Sequence, residues 1–206
     1  MTGQILNEKL PPNHIATILF QAQDEMDNIP MVALGKAFNL YFDDLNGDES
    51  YYYYTINHAN ADWTASKLFK SEYLSGFDDV RIRNMSNSSA TLQRYTHYSL
   101  TIPNRDVEIT TSGNYLLSVF DTNQNLVFTT RFVVYEQQAN VQLGVFRLRD
   151  LEGIDSQQRI EIGVQTNNLN TRQPEQEIKV WALQNFQWSS ARKISKFDYV
   201  MNQTLQ

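Results

Sequence analysis

The sequence predicts an all-β protein: an antiparallel immunoglobulin-like β-sandwich followed by part of a second β domain. Three observations carry this. Apolar and polar residues alternate with a period of two through most of the chain, as they do on strands whose successive side chains point to opposite faces. Turn signals built from Asn, Asp, Gly and Pro separate these runs, as they do in sandwiches. The periodicity of an amphipathic helix is almost absent.

The elements follow in order. ATILFQA (Ala16 to Ala22) alternates, with Ile18 and Phe20 on one face. FNLYFDDL also alternates: Phe38, Leu40 and Phe42 point one way, Asn39, Tyr41 and Asp43 the other. DDLNGDES then carries Asn46-Gly47, a turn signal because both residues tolerate positive φ. YYYYTINH is rich in aromatic and β-branched residues, which suit a pleated, half-buried surface. ADWTASKLFKSEYL breaks the pattern and is compatible with a short helix or a meandering loop. In YTHYSLTIP, His97, Ser99 and Thr101 oppose Tyr98, Leu100 and Ile102, and Pro103 ends the strand by removing a ladder donor. The clearest hairpin is GNYLLSVFDTNQNLVFTTRFVVYE, whose two runs flank the polar turn Asp121 to Asn125. In its second run Leu126, Phe128, Thr130, Phe132 and Val134 share a core face.

After Glu136 the polar QQAN marks a linker, dividing the chain into a sandwich over 14–136 and a second β domain over 141–206. RIEIGVQT and EIKVWALQ alternate cleanly, separated by NNLNTRQPEQ with its Pro174. The second unit is too short to close a sandwich and is expected to be incomplete.

At 206 residues, 41 % hydrophobic and 19 % charged, the chain has the composition of a globular protein with a sizeable core. No apolar run approaches the roughly 20 residues that span a bilayer, so direct membrane insertion is not expected. A net charge of −6 opposes binding to nucleic-acid phosphates, which need a clustered positive surface, and to anionic membranes. With no cysteine, disulfides, thiolate metal sites and cysteine nucleophiles are excluded. The start, MTGQILNEKLPPNH, has no basic and apolar regions of a secretory signal, which leaves the compartment open.

His58 and Asp62, with Trp63 beside them, invite a metal or acid–base reading. A zinc site needs three or four ligands, and a catalytic histidine needs an orienting partner and a nucleophile. The chain has His14, His58 and His97, and no zincin, nucleophile-elbow, phosphate-loop or dinucleotide motif. The simpler reading ends a strand at His58, bonds its ring to backbone or Asp62, and buries Trp63. Asp43, Asp44, Asp48 and Glu49 resemble a carboxylate cluster, but Gly47 comes two residues early for a calcium loop, and a solvated turn explains them. No catalytic residue, metal or cofactor is therefore expected. The aromatic stripe is more informative: Tyr51 to Tyr54, Trp63, Tyr73, Phe77, Tyr95 and Tyr98 exceed what a small core needs. Alternation sends two of the consecutive tyrosines to each face, one pair to the core, the other to the core or to a surface that meets a protein or a glycan.

Six segments in order, PMVALGKAFNLYFDDL, YYYYTINHANADW, SEYLSGF, TLQRYTHYSLTIPN, TSGNYLLSVFD and TTRFVVYE, resemble the N-terminal domain of the plug proteins of the bacterial type IX secretion system. The likeness runs from about Thr17 to Glu136, and VWALQNFQWSSARK is similar to the segment that follows in that family. The position after the histidine, often cysteine there, is Ala59 here, and the family chain is longer. The resemblance implies a non-enzymatic periplasmic protein, held at the outer membrane, that caps the periplasmic mouth of the large translocon β-barrel. It maps no contacts; the expected docking surface is the aromatic–acidic region of Asp43, Asp44, Tyr52, Tyr54, His58, Asp62 and Trp63. The alternative from the tyrosines and Trp63 is a glycan-binding or surface-adhesive module.

Overall fold

A computed structural model of the chain describes residues 4–22, 28–147, 158–166, 169, 171–194, 197–201 and 204–205. The chain divides into two compact units, Met1–Glu136 and Gln137–Gln206. The first contains, in order, β1 (Ile15–Ala22), β2 (Met31–Ala33), β3 (Phe38–Asp44), β4 (Tyr53–Ala59), the helical turn α1 (Lys70–Tyr73), β5 (Leu74–Gly76), β6 (Val80–Arg81), β7 (Asn84–Asn87), β8 (Thr96–Ile102), β9 (Val107–Ile109), β10 (Gly113–Phe120) and β11 (Leu126–Tyr135).

These strands form two main sheets, β1-β3-β8-β7 and β2-β11-β10-β4-β6, with β5-β9 as a small ribbon. That is the strand order of an immunoglobulin-type sandwich. Pairing is antiparallel except where β2 runs parallel to β11, Met31 to Ala33 beside Val133 to Tyr135. At the start of β10 the buried Tyr115 donates its hydroxyl to the Thr111 carbonyl at 2.6 Å, the corner bond of this architecture.

The core is what the alternation predicts. Phe38, Leu40 and Phe42 of β3 with Tyr98, Leu100 and Ile102 of β8 meet Tyr54 and Ile56 of β4, Tyr115, Leu117 and Val119 of β10, and Phe128, Phe132 and Val134 of β11. Phe42 stacks on Tyr98 at 4.9 Å and meets Phe128 edge-on at 5.3 Å. In β1 the register slips between Ala16 and Leu19, with Thr17 at φ 53°. This bulge lets Ile15 and Phe20, five residues apart, both point inward, where strict alternation would send them to opposite faces.

The turn signals hold with one change of role. Gly47 takes φ 63° and its N–H reaches the Asp44 carbonyl at 3.2 Å, but the turn opens a crossover between sheets, not a hairpin. The turn after β10 is pinned by Asp121, whose carboxylate accepts from the N–H groups of Asn123 and Asn125 at 2.8 Å each and from Asn125 Nδ2 at 2.9 Å. Those bonds, Asn125 foremost, hold the Asp121 carboxyl below its usual range. The segment after β4 combines both predicted possibilities: a loop leads into the single turn α1.

A strap made of residues 4–9 crosses the outer face of the β2-β11-β10-β4-β6 sheet. At one end Thr129 N–H donates to the Lys9 carbonyl at 3.1 Å; at the other, Leu6 N–H donates to the Trp63 carbonyl at 2.8 Å and Ala65 N–H to the Gln4 carbonyl at 2.9 Å. Beneath it the outward-facing Leu116, Ser118 and Thr129 are buried.

The second unit contains β12 (Asn140–Arg147), β13 (Gln158–Gln165), the turn α2 (Pro174–Glu177), β14 (Val180–Ala182), a 3₁₀ turn (Trp188–Ser190), β15 (Arg192–Ile194), β16 (Val200–Met201) and β17 (Thr204–Leu205). They form a β12-β13-β17-β16 sheet and a β14-β15 pair. RIEIGVQT lies within β13 except for its last residue, whereas EIKVWALQ yields only the short β14.

Candidate functional site

The structure separates the predicted docking residues into four environments. Asp44 ends β3 in the inward register of Phe38, Leu40 and Phe42, and is fully buried. Its Oδ2 accepts from the Tyr52 hydroxyl at 2.7 Å, and its Oδ1 from Asn46 N–H at 3.0 Å. Burial, then the Asp44 carboxylate, push the Tyr52 phenol far above its ordinary value. Tyr98 donates to the Ser50 carbonyl at 2.6 Å, and the Tyr54 hydroxyl accepts from Asn104 at 3.1 Å. A buried carboxylate thus anchors the crossover between the sheets. Asp44, Tyr52 and Tyr54 are interior, which corrects their expected docking role: the pleat turns Tyr52 and Tyr54 inward and leaves Tyr51 and Tyr53 outside.

His58 also faces inward, directly across from Tyr115. Its ring meets Tyr115 edge-on at 5.1 Å and lies 5.5 Å from Tyr73. Burial lowers its pKa, partly offset by a hydrogen bond with the Ser112 backbone. Gly113 makes room for it: a Cβ there would fall 2.3 Å from Nε2. This is the structural role that the sequence offered as the simpler reading.

Asp62 lies in the exposed turn after β4, where its Oδ1 accepts from the Thr64 N–H at 3.1 Å and the Thr64 hydroxyl at 2.6 Å. Trp63, next to it, is 6 % exposed at φ 63°. The Arg131 guanidinium sits 4.5 Å over its ring, and Arg131 Nε donates to the Leu6 carbonyl at 2.9 Å. Trp63 is therefore an anchor under the strap, not an open contact. Asp43 lies on the opposite sheet, where its Oδ1 is 2.7 Å from His97 Nδ1 and Tyr41 stacks on the imidazole at 5.7 Å. Sequence reasoning placed Asp43 and His97 on polar faces but missed their partnership, which depends on the β3–β8 register.

Sequence reasoning also missed which aromatics stay outside. Phe69 is 78 % and Phe77 69 % exposed, on the segment between β4 and β6 that also carries Asp62. The segment is fixed from beneath: Tyr73 and Leu74 are buried, Thr111 Oγ1 donates to the Glu72 carbonyl at 2.9 Å, and Phe77 N–H donates to the Asp106 carbonyl at 2.8 Å. Lys70 and Asp78 form an ion pair across it. Among the described residues no three His, Asp or Glu side chains gather as a metal site, and no helix is long and apolar enough to cross a membrane.

Residues 15–136, the whole sandwich and more than half of the chain, match the family described as Type 9 secretion system plug protein 1st domain. The chain belongs to this family. The plug domain therefore ties the protein to type IX secretion, machinery of the cell envelope, and the family is not one of enzymes. No curated protein matches. Beyond the plug domain, the likeness extends to a solved structure, a hypothetical protein from Parabacteroides merdae ATCC 43184, at 26 % identity and a TM-score of 0.89. The match covers 98 % of this chain and 52 % of that one, so this chain spans about half its length. A Pseudomonas fluorescens alkylpurine DNA glycosylase bound to DNA with an abasic-site analog matches at 11 % identity over 59 % of this chain and 30 % of that one; its TM-score of 0.32 carries no argument.

Proposed function

We propose that the plug domain closes the periplasmic opening of the type IX outer-membrane translocon barrel, as a stopper and not as an enzyme. The observation that carries this reading is the family match across the whole sandwich. A pore wide enough for folded cargo leaks unless it is obstructed, and a two-layer domain with a close-packed aromatic core is a rigid obstruction. The protein then acts in the periplasm, held at the outer membrane by the barrel.

Docking runs through the segment between β4 and β6, where Asp62 is exposed and Phe69 and Phe77 stand out from a fixed platform. Large side chains held in place lose little freedom on binding, which suits them as anchors. The test is to tag the protein in its native envelope and identify what purifies with it, with barrel conductance measured in its presence and absence. Recovery of the barrel, and current that rises when the plug is removed, is the expected result; a conductance that ignores the plug sinks the proposal. Phe69→Ala with Phe77→Ala should leave the melting temperature unchanged and lower barrel recovery about tenfold. The glycan-binding alternative keeps only Tyr51, with Arg81 3.6 Å over its ring, and Tyr53 of its motivating rings, because Tyr52, Tyr54 and Trp63 are inside.

A further inference from the structure

The second unit carries a sheet face written as a core and left open. In β12, apolar and other residues alternate, and antiparallel pairing with β13 sets Val141 opposite Val164, Leu143 opposite Ile162 and Val145 opposite Ile160. Directly opposed residues share a face, so these three pairs make one continuous aliphatic surface. On the reverse face Gln142 pairs with Gly163, Gly144 with Glu161 and Phe146 with Arg159. One apolar and one largely polar face is the pattern of an antiparallel sheet with a core on one side and water on the other.

Burial along the apolar face is uneven. Val164 is 5 % exposed and its neighbour Leu205 1 %, whereas Val141, Leu143, Val145 and Ile160 are 60 %, 66 %, 55 % and 53 % exposed. Ile160, Ile162 and Val164 line a cleft of about 450 Å³ together with Val180 and Ile194, and the charged Arg159, Glu161 and Asp198 also border it. The core covers β13 only toward its Val164 end, whereas β12 is open along its length, Val141 opposite Val164 included. β12 is also the outer strand of its sheet, so both the open face and a strand edge are presented together. Contiguous apolar surface of this kind is covered in a working protein.

What covers it is indicated by length and chemistry. The Parabacteroides merdae protein, alike over 98 % of this chain, has about as much sequence again, since only 52 % of it is matched. The open face continues a core already started within the unit, and no charged residue stands among its three pairs. We infer that the face of β12 and β13 is the inner wall of a second β-sandwich, closed by further aliphatic-faced strands of the same gene product. This inference does not depend on the barrel-closing role.

The complete natural gene product and the 206-residue chain should be compared by hydrogen–deuterium exchange and light scattering. In the gene product the peptide spanning Asn140–Arg147 should exchange at least roughly tenfold more slowly than in the 206-residue chain. Leu143→Lys should lower the thermal midpoint of the gene product while leaving that of the 206-residue chain unchanged. A gene product that ends at Gln206, or one whose β12 exchanges as fast as in the 206-residue chain, overturns the inference. So does a 206-residue chain that dimerises and is made monomeric by Leu143→Lys, since the face would then belong to a second copy.

Discussion

Gly113 and the His58 ring are fitted to one another at the edge of the core. Gly113→Ala would place a methyl 2.3 Å from His58 Nε2. It should cost about 1–3 kcal/mol by urea denaturation, as overpacking does, and His58→Ala in the same background should recover part of the loss, an interaction visible as non-additivity. Gly76→Ala should be worse, because the obstacle is the Asp106 backbone carbonyl at 2.0 Å and the residue sits at φ +108°, a conformation that strains any side chain. Trp63→Ala should cost about 3–5 kcal/mol, the cost of emptying a core site; a variant that folds normally and only loses binding would show that the indole serves an interface. His58 makes stability depend on pH. Burial lowers its folded pKa below the value near 6.5 of the unfolded chain, so in the window just below about pH 6.5 the unfolded chain binds the proton first. Stability then falls as pH falls through that window and is unaffected above it. His58→Gln should flatten the urea-midpoint profile between about pH 7 and pH 5 relative to wild type; superimposable profiles would refute this assignment.

Strands were legible because alternation is a backbone property: β3 and β8 bury the side chains that period two selects, and β11 does so at Phe128, Phe132 and Val134, although Leu126 and Thr130 are only half-buried and Val127 joins the core. Which parity faces inward was not legible where a crossover intervenes, and this explains Tyr52 and Tyr54. Two of the four tyrosines had to turn inward, but the pair was chosen by the path from Asp44 to β4, a matter of loop geometry. The burial of Asp44 was hidden for a related reason: a carboxylate at an inward position is tolerable only with donors, and its donor Tyr52 arrives from the far side of that loop. The bulge in β1 left no periodic trace, since one irregularity shifts a face without changing composition. At this scale Tyr115→Phe is the informative change. It removes the corner bond to Thr111 and should lower stability by about 1 kcal/mol, or more if the carbonyl is left without a partner, read as a shift in thermal midpoint. No change would mean the corner is set by ring packing alone.

At the scale of the molecule, the division after Glu136 predicts that residues 1–136 fold alone. That piece should keep its circular dichroism and cooperative melting, and a piece that stays unfolded would mean the first unit borrows stability from the second. Its docking capacity can then be measured without the open face of β12. The strap adds a constraint on the order of events. Lys9 and Thr129 lie 120 positions apart, and Arg131 and Leu6 are 125 apart. Closing so long a loop carries an entropic cost that local turns avoid, and contacts of this range slow folding. The strap has no seat until β11 has added to β10, so Trp63 and the outer face of that sheet stay uncovered through every earlier step. Made before every strand it braces, the strap is among the last elements to settle, and during that interval the young chain depends on speed or on a chaperone to keep its unfinished face from other chains.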